Sequence, residues 1–185
     1  ATVGRHRPVA GGMGYGIRLK NTEQVCLCYF GDGAVQEGAF HEALNVSALW
    51  DLPVIYIIEN NRYGMGTSLD RASSVKDLYQ RASAYGIPRR DVNGMDLVAC
   101  RTVFGEAIDR ARKTKRPALI EAETYRYRGH SMSDPGKYRT KEEVEEMMKS
   151  DPVLLWGKRL MEQERFTQAE TALPDWAPYT STVLW

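Results

Sequence analysis

Residues 24–34 read QVCLCYFGDGA, an apolar run that ends in two glycines on either side of Asp32. An apolar run followed by a glycine turn predicts a short buried strand and the turn that closes it. Residues 54–58, VIYII, are β-branched and aromatic and predict a second, fully buried strand. Residues 118–124, ALIEAET, predict a third strand further along the chain.

Helical segments alternate with these strands. Apolar or small side chains recur on one side of the segment after the glycine turn, from about residue 37 to residue 50. The other predicted helices are residues 74–85, a long segment from about residue 96, and residues 141–149 and 152–165. This alternation predicts an α/β fold, with a parallel sheet that carries helices on both faces. Ligands of such folds bind beyond the carboxyl ends of the strands.

Composition and charge argue against several classes of function. The 185 residues carry 25 basic and 24 acidic side chains, and the net charge of +1 gives no support for binding nucleic acid or an anionic membrane. No apolar run approaches the roughly 18–20 residues that cross a bilayer. The three cysteines lack paired-cluster spacing, which points to a reducing compartment. Cys26 and Cys28 alternate in the first strand, and we expect both to be buried as small hydrophobic side chains.

A glycine-rich segment, GGMGYG at residues 11–16, invites comparison with dinucleotide-binding loops. Its spacing is not G-x-G-x-x-G, and it precedes the first predicted strand instead of following it. We therefore interpret these glycines as small residues that let a helix pack closely against its neighbours.

Asp32 and Asn61 each follow a predicted strand. The glycines beside Asp32 allow a ligand to approach the backbone, and the N-terminus of the following helix would favour phosphate. Considered alone, this segment is explained equally well by an ordinary turn in which Asp32 is hydrogen-bonded locally. Residues 59–64, ENNRYG, close the next strand, so Asn61 would lie near Asp32. A carboxylate and an amide oxygen are hard ligands of the kind that Mg²⁺ prefers when it bridges to a diphosphate.

The loop after the third strand is the remaining candidate for chemistry. Residues 125–140, YRYRGHSMSDPGKYRT, combine arginines, serines and tyrosines with His130 at the predicted ligand edge. A lone histidine in a loop is more often solvated or a simple hydrogen-bonding partner. Beside a diphosphate, however, arginines would bind the phosphate oxygens and a histidine would donate or shuttle a proton.

Three separated stretches of the sequence resemble one known family. They are GDGAVQEGAFHEALN at residues 31–45, LPVIYIIENNRYGMGTS at residues 52–68 and YRYRGHSMSDPGKYRTKEEV at residues 125–144. All three resemble the alpha subunits of the thiamine diphosphate-dependent pyruvate dehydrogenase component, and relatives that act on acetoin or branched-chain 2-oxo acids share the first two. The HSMSDP run within the third stretch is most similar to the pyruvate dehydrogenase (acetyl-transferring) group. The resemblance extends from about residue 9 to about residue 166.

The resemblance implies a thiamine diphosphate-binding fold and a role for individual residues. The residues that would bind Mg²⁺ offer oxygen atoms: Asp32, Asn61 and the backbone carbonyl of Tyr63. Those that would contact the cofactor lie in turns and loops: Val3 beside the aminopyrimidine, Gly31, Gly33 and Ala34 at the diphosphate, and also Asp32, Asn61 and His130. His130 would in addition be the catalytic side chain, in a loop over the thiazolium and near the substrate.

The same resemblance bears on regulation and compartment. Ser131 lies where mitochondrial relatives carry a regulatory phosphorylation site, and Ser68 lies where another occurs. Residues 135–138, PGKY, are shorter than the matching part of those relatives and lack a further serine. This difference indicates a bacterial-type, cytoplasmic subunit in preference to a protein of the mitochondrial matrix.

The implied reaction is decarboxylation of pyruvate and transfer of the acetyl group to a protein-bound lipoyl group. The implied partners are a beta subunit, in an α2β2 heterotetramer, and a lipoyl-bearing acyltransferase core. Two alternatives remain open. One is a relative that cleaves acetoin or branched-chain 2-oxo acids, and the other is a truncated paralogue that binds a partner without completing an active site.

The resemblance also suggests how the chain is divided. Residues 1–140 would form the cofactor-binding α/β domain, without the upstream segment that the family places before it. Residues 141–166 would form a helical extension, and residues 167–185 match nothing in the family. The chain is therefore expected to be an interior fragment that is inactive by itself.

Overall fold

The computed structural model describes residues 4–163, which divide into two compact units. The first unit contains residues 4–94 and 98–124, and the second contains residues 95–97 and 125–163. Within residues 4–163 there is no helix both long enough and apolar enough to cross a membrane. The predicted tail at residues 167–185 lies outside the described range.

A four-stranded parallel sheet forms the centre of the first unit. The strands, in chain order, are β1 (Cys26–Gly31), β2 (Val54–Asn60), β3 (Tyr63–Gly64), β4 (Thr67–Ser68), β5 (Arg89–Asn93) and β6 (Ala118–Glu123). The sheet has the order β1-β2-β6-β5, whereas β3 and β4 form a separate antiparallel hairpin. Every pairing in the larger sheet is parallel. The predicted α/β fold with a parallel sheet is confirmed.

Helices cover both faces of the sheet, as predicted, and those that pack on it belong to the first unit. The helices of both units, in chain order, are α1 (His6–Leu19), α2 (Gly38–Leu49), α3 (Leu69–Ala72), α4 (Leu97–Thr114), α5 (Lys141–Met148) and α6 (Pro152–Glu162). Two 3₁₀ segments, Asp32–Gln36 and Leu78–Tyr85, supplement them. Helices α5 and α6 belong to the second unit and correspond to the two helices predicted near the end of the chain.

The first face of the sheet packs against α1, α2 and the second 3₁₀ segment. Phe30 lies in this core, with its ring 5.8 Å from Phe40 and 6.4 Å from Tyr56 in edge-on arrangements. Cys26 and Cys28 point into the same layer and are buried, free thiols, which confirms the prediction for both. Burial raises the pKa of the Cys28 thiol to about 12, so it packs as a neutral apolar group.

The second face packs against α4. Apolar side chains of β2, β5 and β6 meet the inner stripe of this helix, in which Ala111 is buried and Phe104 and Ile108 are partly buried. This cover does not extend over all of β1, whose outward-pointing Leu27 and Tyr29 are 43% and 47% exposed.

Several local assignments differ from the sequence prediction, among them the β3–β4 hairpin and α3, which were not predicted. The helix predicted at residues 74–85 is a 3₁₀ segment that begins only at Leu78 and ends where Gly86 adopts a left-handed φ of 63°. Its buried Leu78 and Ala82 fit an α-helical spacing, but eight residues are too few for periodicity to separate the two helix types. Strand β5 was not predicted, because this edge strand is largely exposed and reads RRDVN, with only Val92 buried.

The glycines of α1 bring this helix close to the sheet. A Cβ atom added to Gly14 would lie 2.5 Å from Cγ2 of Val54 and 3.2 Å from Cβ of Leu52. A Cβ added to Gly12, on the exposed side of the same helix, would meet nothing within 4 Å. The interpretation of this segment as a closely packed helix is therefore confirmed.

We predict that Gly14→Ala lowers the free energy of unfolding by about 1–3 kcal/mol, because the stiff side chain of Val54 cannot rotate away from the added methyl group. Gly12→Ala is the matched control and should stabilise the protein by up to about 1 kcal/mol, since alanine is the better helix former. Chemical denaturation of both variants measures the difference. Equal changes would show that α1 does not approach β2 this closely.

Candidate functional site

The turn after β1 presents Asp32 at the carboxyl edge of the sheet. β1 ends at Gly31, whose extended backbone leads directly into the 3₁₀ segment Asp32–Gln36. Asp32 is buried, with 2% of its surface exposed. The helix expected to follow the turn, α2, begins only at Gly38, so its N-terminus is separated from the turn by the 3₁₀ segment. The start of α2 agrees with the helix predicted from about residue 37.

Asn61 lies at the same edge, in the loop that leaves β2. The parallel register aligns Gly31 with Glu59, so the turn after β1 and the loop after β2 start side by side. Asn61 is buried, and its side-chain oxygen accepts a hydrogen bond from the backbone N–H of Tyr63 at 3.3 Å. Tyr63 then pairs with Ser68 across the β3–β4 hairpin.

Two glycines allow the turn and the hairpin to touch. A Cβ atom added to Gly33 would lie 3.2 Å from Cα of Gly64, and one added to Gly64 would lie 3.3 Å from Cα of Gly33. The backbones thus approach each other with no room for a side chain between them. This contact brings the segment that carries Asp32 against the segment that carries Asn61 and Tyr63, as the sequence predicted for these loops.

Two arginines bind backbone carbonyl groups of the 3₁₀ segment. The guanidinium of Arg7 donates to the carbonyl oxygen of Ala34 and, at 2.7 Å, to the carboxylate of Glu37. Arg81 donates to the carbonyl oxygen of Val35 at 3.2 Å. Arg7 is fully buried, and desolvation lowers its pKa while the charge of Glu37 acts in the opposite direction. Its pKa remains far above neutrality in any protein environment of this kind, so the side chain is a cation.

The sequence analysis assigned Arg7 no function. It lies in the basic run Arg5-His6-Arg7, and the packing of α1 against β1 brings it to the turn. Its guanidinium carbon lies 5.3 Å from the centre of the Phe30 ring, which adds a cation–π contact to its hydrogen bonds.

A second buried polar group, Glu121 on β6, was also missed. One of its carboxylate oxygens accepts from the side-chain amide of Asn60 at 2.6 Å, and the other accepts from the backbone N–H of Tyr79 at 2.8 Å. Glu121 is 3% exposed, and this burial raises the pKa of its carboxyl group. A charged residue within the apolar run ALIEAE was the signal in the sequence that could have identified it.

The arginine-rich loop belongs to the second unit and is organised around Asp134. This carboxylate accepts from the backbone N–H groups of His130 and Gly136, at 2.7 and 2.9 Å, and from the hydroxyl of Tyr138 at 2.8 Å. These three donors, the His130 amide first, lower the pKa of Asp134 to about 2. Arg126 in turn donates to the Tyr138 hydroxyl at 2.7 Å.

The remaining candidate residues lie at the surface or beyond the described range. His130 is exposed, and so is Ser131, whose hydroxyl lies 3.0 Å from that of Ser133. Ser68 is partly exposed in β4. Val3 lies outside residues 4–163.

The oxygen donors at the sheet edge suit a hard cation. Among the described residues, no group of three or more His, Cys, Asp or Glu side chains is placed to hold a metal ion. The predicted ligands are of a different kind, since Asp32 is the one carboxylate, Asn61 offers an amide oxygen and Tyr63 a backbone carbonyl. Mg²⁺ needs only one or two carboxylates when phosphate oxygens and waters complete its shell. This donor set therefore fits Mg²⁺ held jointly with a diphosphate.

Comparison with known proteins identifies the family. The model of the dehydrogenase E1 component family matches residues 1–173. The chain belongs to this family. The resemblance found in the sequence is thereby confirmed, and the parallel sheet with helices on both faces is consistent with the fold of the E1 family.

Curated E1 proteins that are similar to this chain come from bacteria and from mitochondria. The pyruvate dehydrogenase E1 component subunit alpha of Rhizobium meliloti (strain 1021) is 46% identical over 169 residues, which are 91% of this chain and 49% of that protein. The subunit of Rickettsia felis is 42% identical over 168 residues, 91% of this chain and 52% of that protein. The somatic, mitochondrial form of Homo sapiens is 46% identical over 161 residues, 86% of this chain and 41% of that protein. The chain spans about half the length of the first two of these relatives.

We predict that Asp134→Asn loosens residues 129–136, because an amide N–H₂ then faces donors where a carboxylate oxygen accepted from them. Hydrogen exchange of the backbone amides of His130 and Gly136 measures the effect. Since the depressed pKa keeps Asp134 ionised, the wild-type loop should keep its protection from pH 5 to pH 9, and would lose this contribution only as the pH falls below about 3.9 toward 2.

Asp70→Asn serves as the control for the Asp134 variant. It makes the same chemical change in the first unit, where Asp70 forms an exposed ion pair with Lys76. It should leave exchange in residues 129–136 unchanged. Equal exchange in all three proteins would mean that Asp134 does not organise the loop.

Proposed function

We propose that this chain supplies the magnesium- and diphosphate-binding half of a thiamine diphosphate site in the alpha subunit of a pyruvate dehydrogenase E1 component. The observation that carries the proposal is the close approach of Gly33 and Gly64, which sets the turn of Asp32 against the hairpin that follows Asn61. Membership of the E1 family and the names of the similar proteins support the cofactor and the substrate.

Each segment at the sheet edge has a separate task in this proposal. Asp32, Asn61 and the backbone carbonyl of Tyr63 bind Mg²⁺. The backbone of Gly31 and the amides of Gly33 and Ala34 receive the diphosphate, where the absence of side chains at the two glycines allows close approach. Arg7 and Arg81 hold the carbonyl groups of this turn, so the turn is organised before a ligand arrives. Val3 remains the predicted contact to the aminopyrimidine.

One loop side chain is assigned the handling of protons. His130 is proposed to act beside the reacting carbon as a proton donor or as a group that shuttles a proton. The Asp134 carboxylate fixes the backbone on which His130 stands, through the bond to the His130 N–H. Ser131 and Ser68 remain candidates for regulatory phosphorylation, since both are accessible on the structure.

Thiamine diphosphate, when bound, supplies the carbanion stabilisation that decarboxylation of pyruvate requires. The acetyl group is proposed to pass to a lipoyl group of an acyltransferase core, and a beta subunit is proposed to complete the site in an α2β2 heterotetramer. The shortened loop at residues 135–138 favours a bacterial-type, cytoplasmic assembly, although the similar proteins include mitochondrial forms.

The other two functions are supported less well. A subunit that cleaves acetoin or branched-chain 2-oxo acids is not favoured, because the similar proteins are named for pyruvate dehydrogenase. Turnover of pyruvate, acetoin and branched-chain 2-oxo acids by the assembled enzyme compares these substrates directly. A non-catalytic paralogue would instead assemble with the beta subunit and decarboxylate none of them.

We predict that Asp32→Ala and Asn61→Ala each abolish the Mg²⁺-dependent retention of thiamine diphosphate by the assembled enzyme, because each removes one of few oxygen ligands. Titration calorimetry with cofactor, in the presence and absence of Mg²⁺, measures this loss. Asp51→Ala is the control. Asp51 precedes β2, at the amino end of the strand, and forms a partly exposed ion pair with Arg116. Unchanged cofactor affinity in the Asp32 or Asn61 variant would remove the proposed metal site.

We predict that His130→Ala lowers kcat by at least about 100-fold, the range expected for loss of a general acid or base, while cofactor affinity changes little. Lys137→Ala, another exposed position of the same loop, is the control and should retain turnover. Steady-state kinetics with pyruvate, together with calorimetry of cofactor binding, separates the two effects. Turnover close to wild type in the His130 variant would leave this histidine a solvated loop residue.

A further inference from the structure

A polar connection runs from the second 3₁₀ segment, through Glu121 on β6, to the loop that carries the proposed metal ligands. It begins at the backbone N–H of Tyr79, which donates to Glu121, and continues from Glu121 to the side-chain amide of Asn60 at 2.6 Å. The side-chain oxygen of Asn60 then accepts from the backbone N–H of Arg62 at 2.9 Å. Asn61 lies between the two ends of this last bond, and Tyr63 follows it.

We propose that Glu121 is a positioning residue for the metal-binding loop, acting through Asn60. The inference rests on the proposed function, because it concerns how the loop with Asn61 and Tyr63 is held for Mg²⁺. Glu121 contacts neither the metal ion nor the cofactor in this proposal. Its role is to fix the orientation of the Asn60 amide, which in turn fixes the peptide that follows Asn61.

The backbone of this loop needs such support. Arg62 adopts a left-handed conformation with φ of 66°, which residues with a Cβ atom rarely occupy unless their surroundings hold them there. The hydrogen bond that the Arg62 N–H donates to the side-chain oxygen of Asn60 stabilises that conformation. If the Asn60 amide turned over, its N–H₂ group would face the Arg62 N–H, and the bond would be lost.

Glu121 prevents that turnover because a carboxylate only accepts hydrogen bonds. One of its oxygens faces Tyr79 N–H, so the other requires a donor, and Asn60 must present its N–H₂ group to Glu121 and its oxygen to Arg62. An apolar side chain of similar size would fill this buried position at a lower cost in desolvation free energy. What the carboxylate adds is that it can only accept hydrogen bonds, and this property fixes the orientation of the Asn60 amide and so the conformation of the loop.

The test exchanges the carboxylate at position 121 and the amide at position 60. In Glu121→Gln the side-chain amides of residues 121 and 60 lie between the backbone N–H groups of Tyr79 and Arg62. In every orientation of the two amides, one donor then faces another donor. Adding Asn60→Asp restores the pattern with reversed polarity. The new carboxylate at position 60 accepts from the Arg62 N–H and from the new amide at position 121, whose oxygen accepts from the Tyr79 N–H. The double variant also keeps one carboxylate in the network.

The measurement is the Mg²⁺ concentration that half-saturates thiamine diphosphate binding in the assembled enzyme, followed by calorimetry, with the unfolding temperature recorded in parallel. Glu121→Gln should raise this concentration by about tenfold or more, as for other residues that orient metal ligands. The double variant should return to within about threefold of wild type. Asn60→Asp alone sets two carboxylates against each other and should also weaken Mg²⁺ binding.

Glu123→Gln is the matched control, since it also removes a carboxylate from β6. The Glu123 carboxylate pairs with the side chain of Arg62 and not with Asn60. It should leave Mg²⁺ dependence near that of wild type. A lowered unfolding temperature with unchanged Mg²⁺ dependence in Glu121→Gln would overturn the positioning role. Tighter binding by Asn60→Asp alone would also overturn it, because the rescue would then be an effect of charge. A wild-type enzyme without Mg²⁺-dependent cofactor binding would instead refute the proposed function.

Discussion

Strand β2 is buried on both faces and paired on both edges, and the other elements of the first unit are positioned by it. β1 and β6 pair with it in parallel, α1 approaches it through Gly14, and α4 packs on its opposite face. A strand in this position needs apolar side chains in both directions, and Val54–Ile58 provides them without interruption. The loop that leaves β2 is therefore fixed at the centre of the sheet edge.

The end of β2 differs from the rest of the strand, because its last residues are polar although they are still buried. Asn60 is 1% exposed and Asn61 is 8% exposed, so each must find partners for its amide group inside the protein. Asn60 is satisfied by Glu121 and by Arg62, and Asn61 accepts from the Tyr63 N–H. Buried polar groups that are fully bonded are rigid, which suits a loop that must present ligand atoms in one geometry.

The turn after β1 is also held by buried or partly buried charged side chains, but these are cations. Arg7 of α1 donates to the Ala34 carbonyl, and Arg81 of the second 3₁₀ segment donates to the Val35 carbonyl. A carboxylate thus supports one loop of the site and two guanidinium groups support the other, and the glycine contact joins the two loops. Each of these supports comes from an element distant in sequence, so the site depends on the completed fold.

The sequence by itself determined strands β1, β2 and β6, most of the helices that alternate with them, the parallel sheet, the turn at Asp32 and the loop at Asn61. These features follow from local apolar periodicity and from glycines at turns, which neighbouring residues specify. The tertiary structure alone decided which polar side chains are buried. Arginine and glutamate are usually exposed in proteins. Arg7 and Glu121 are buried here because α1 packs on β1 and β6 pairs with β2. The bond from Arg7 to Ala34 joins positions 27 residues apart, and the bond from Asn60 to Glu121 joins positions 61 residues apart. Contacts over such separations leave no periodic pattern in a sequence. For the same reason β5, an edge strand with polar residues, became visible only through its pairing with β6.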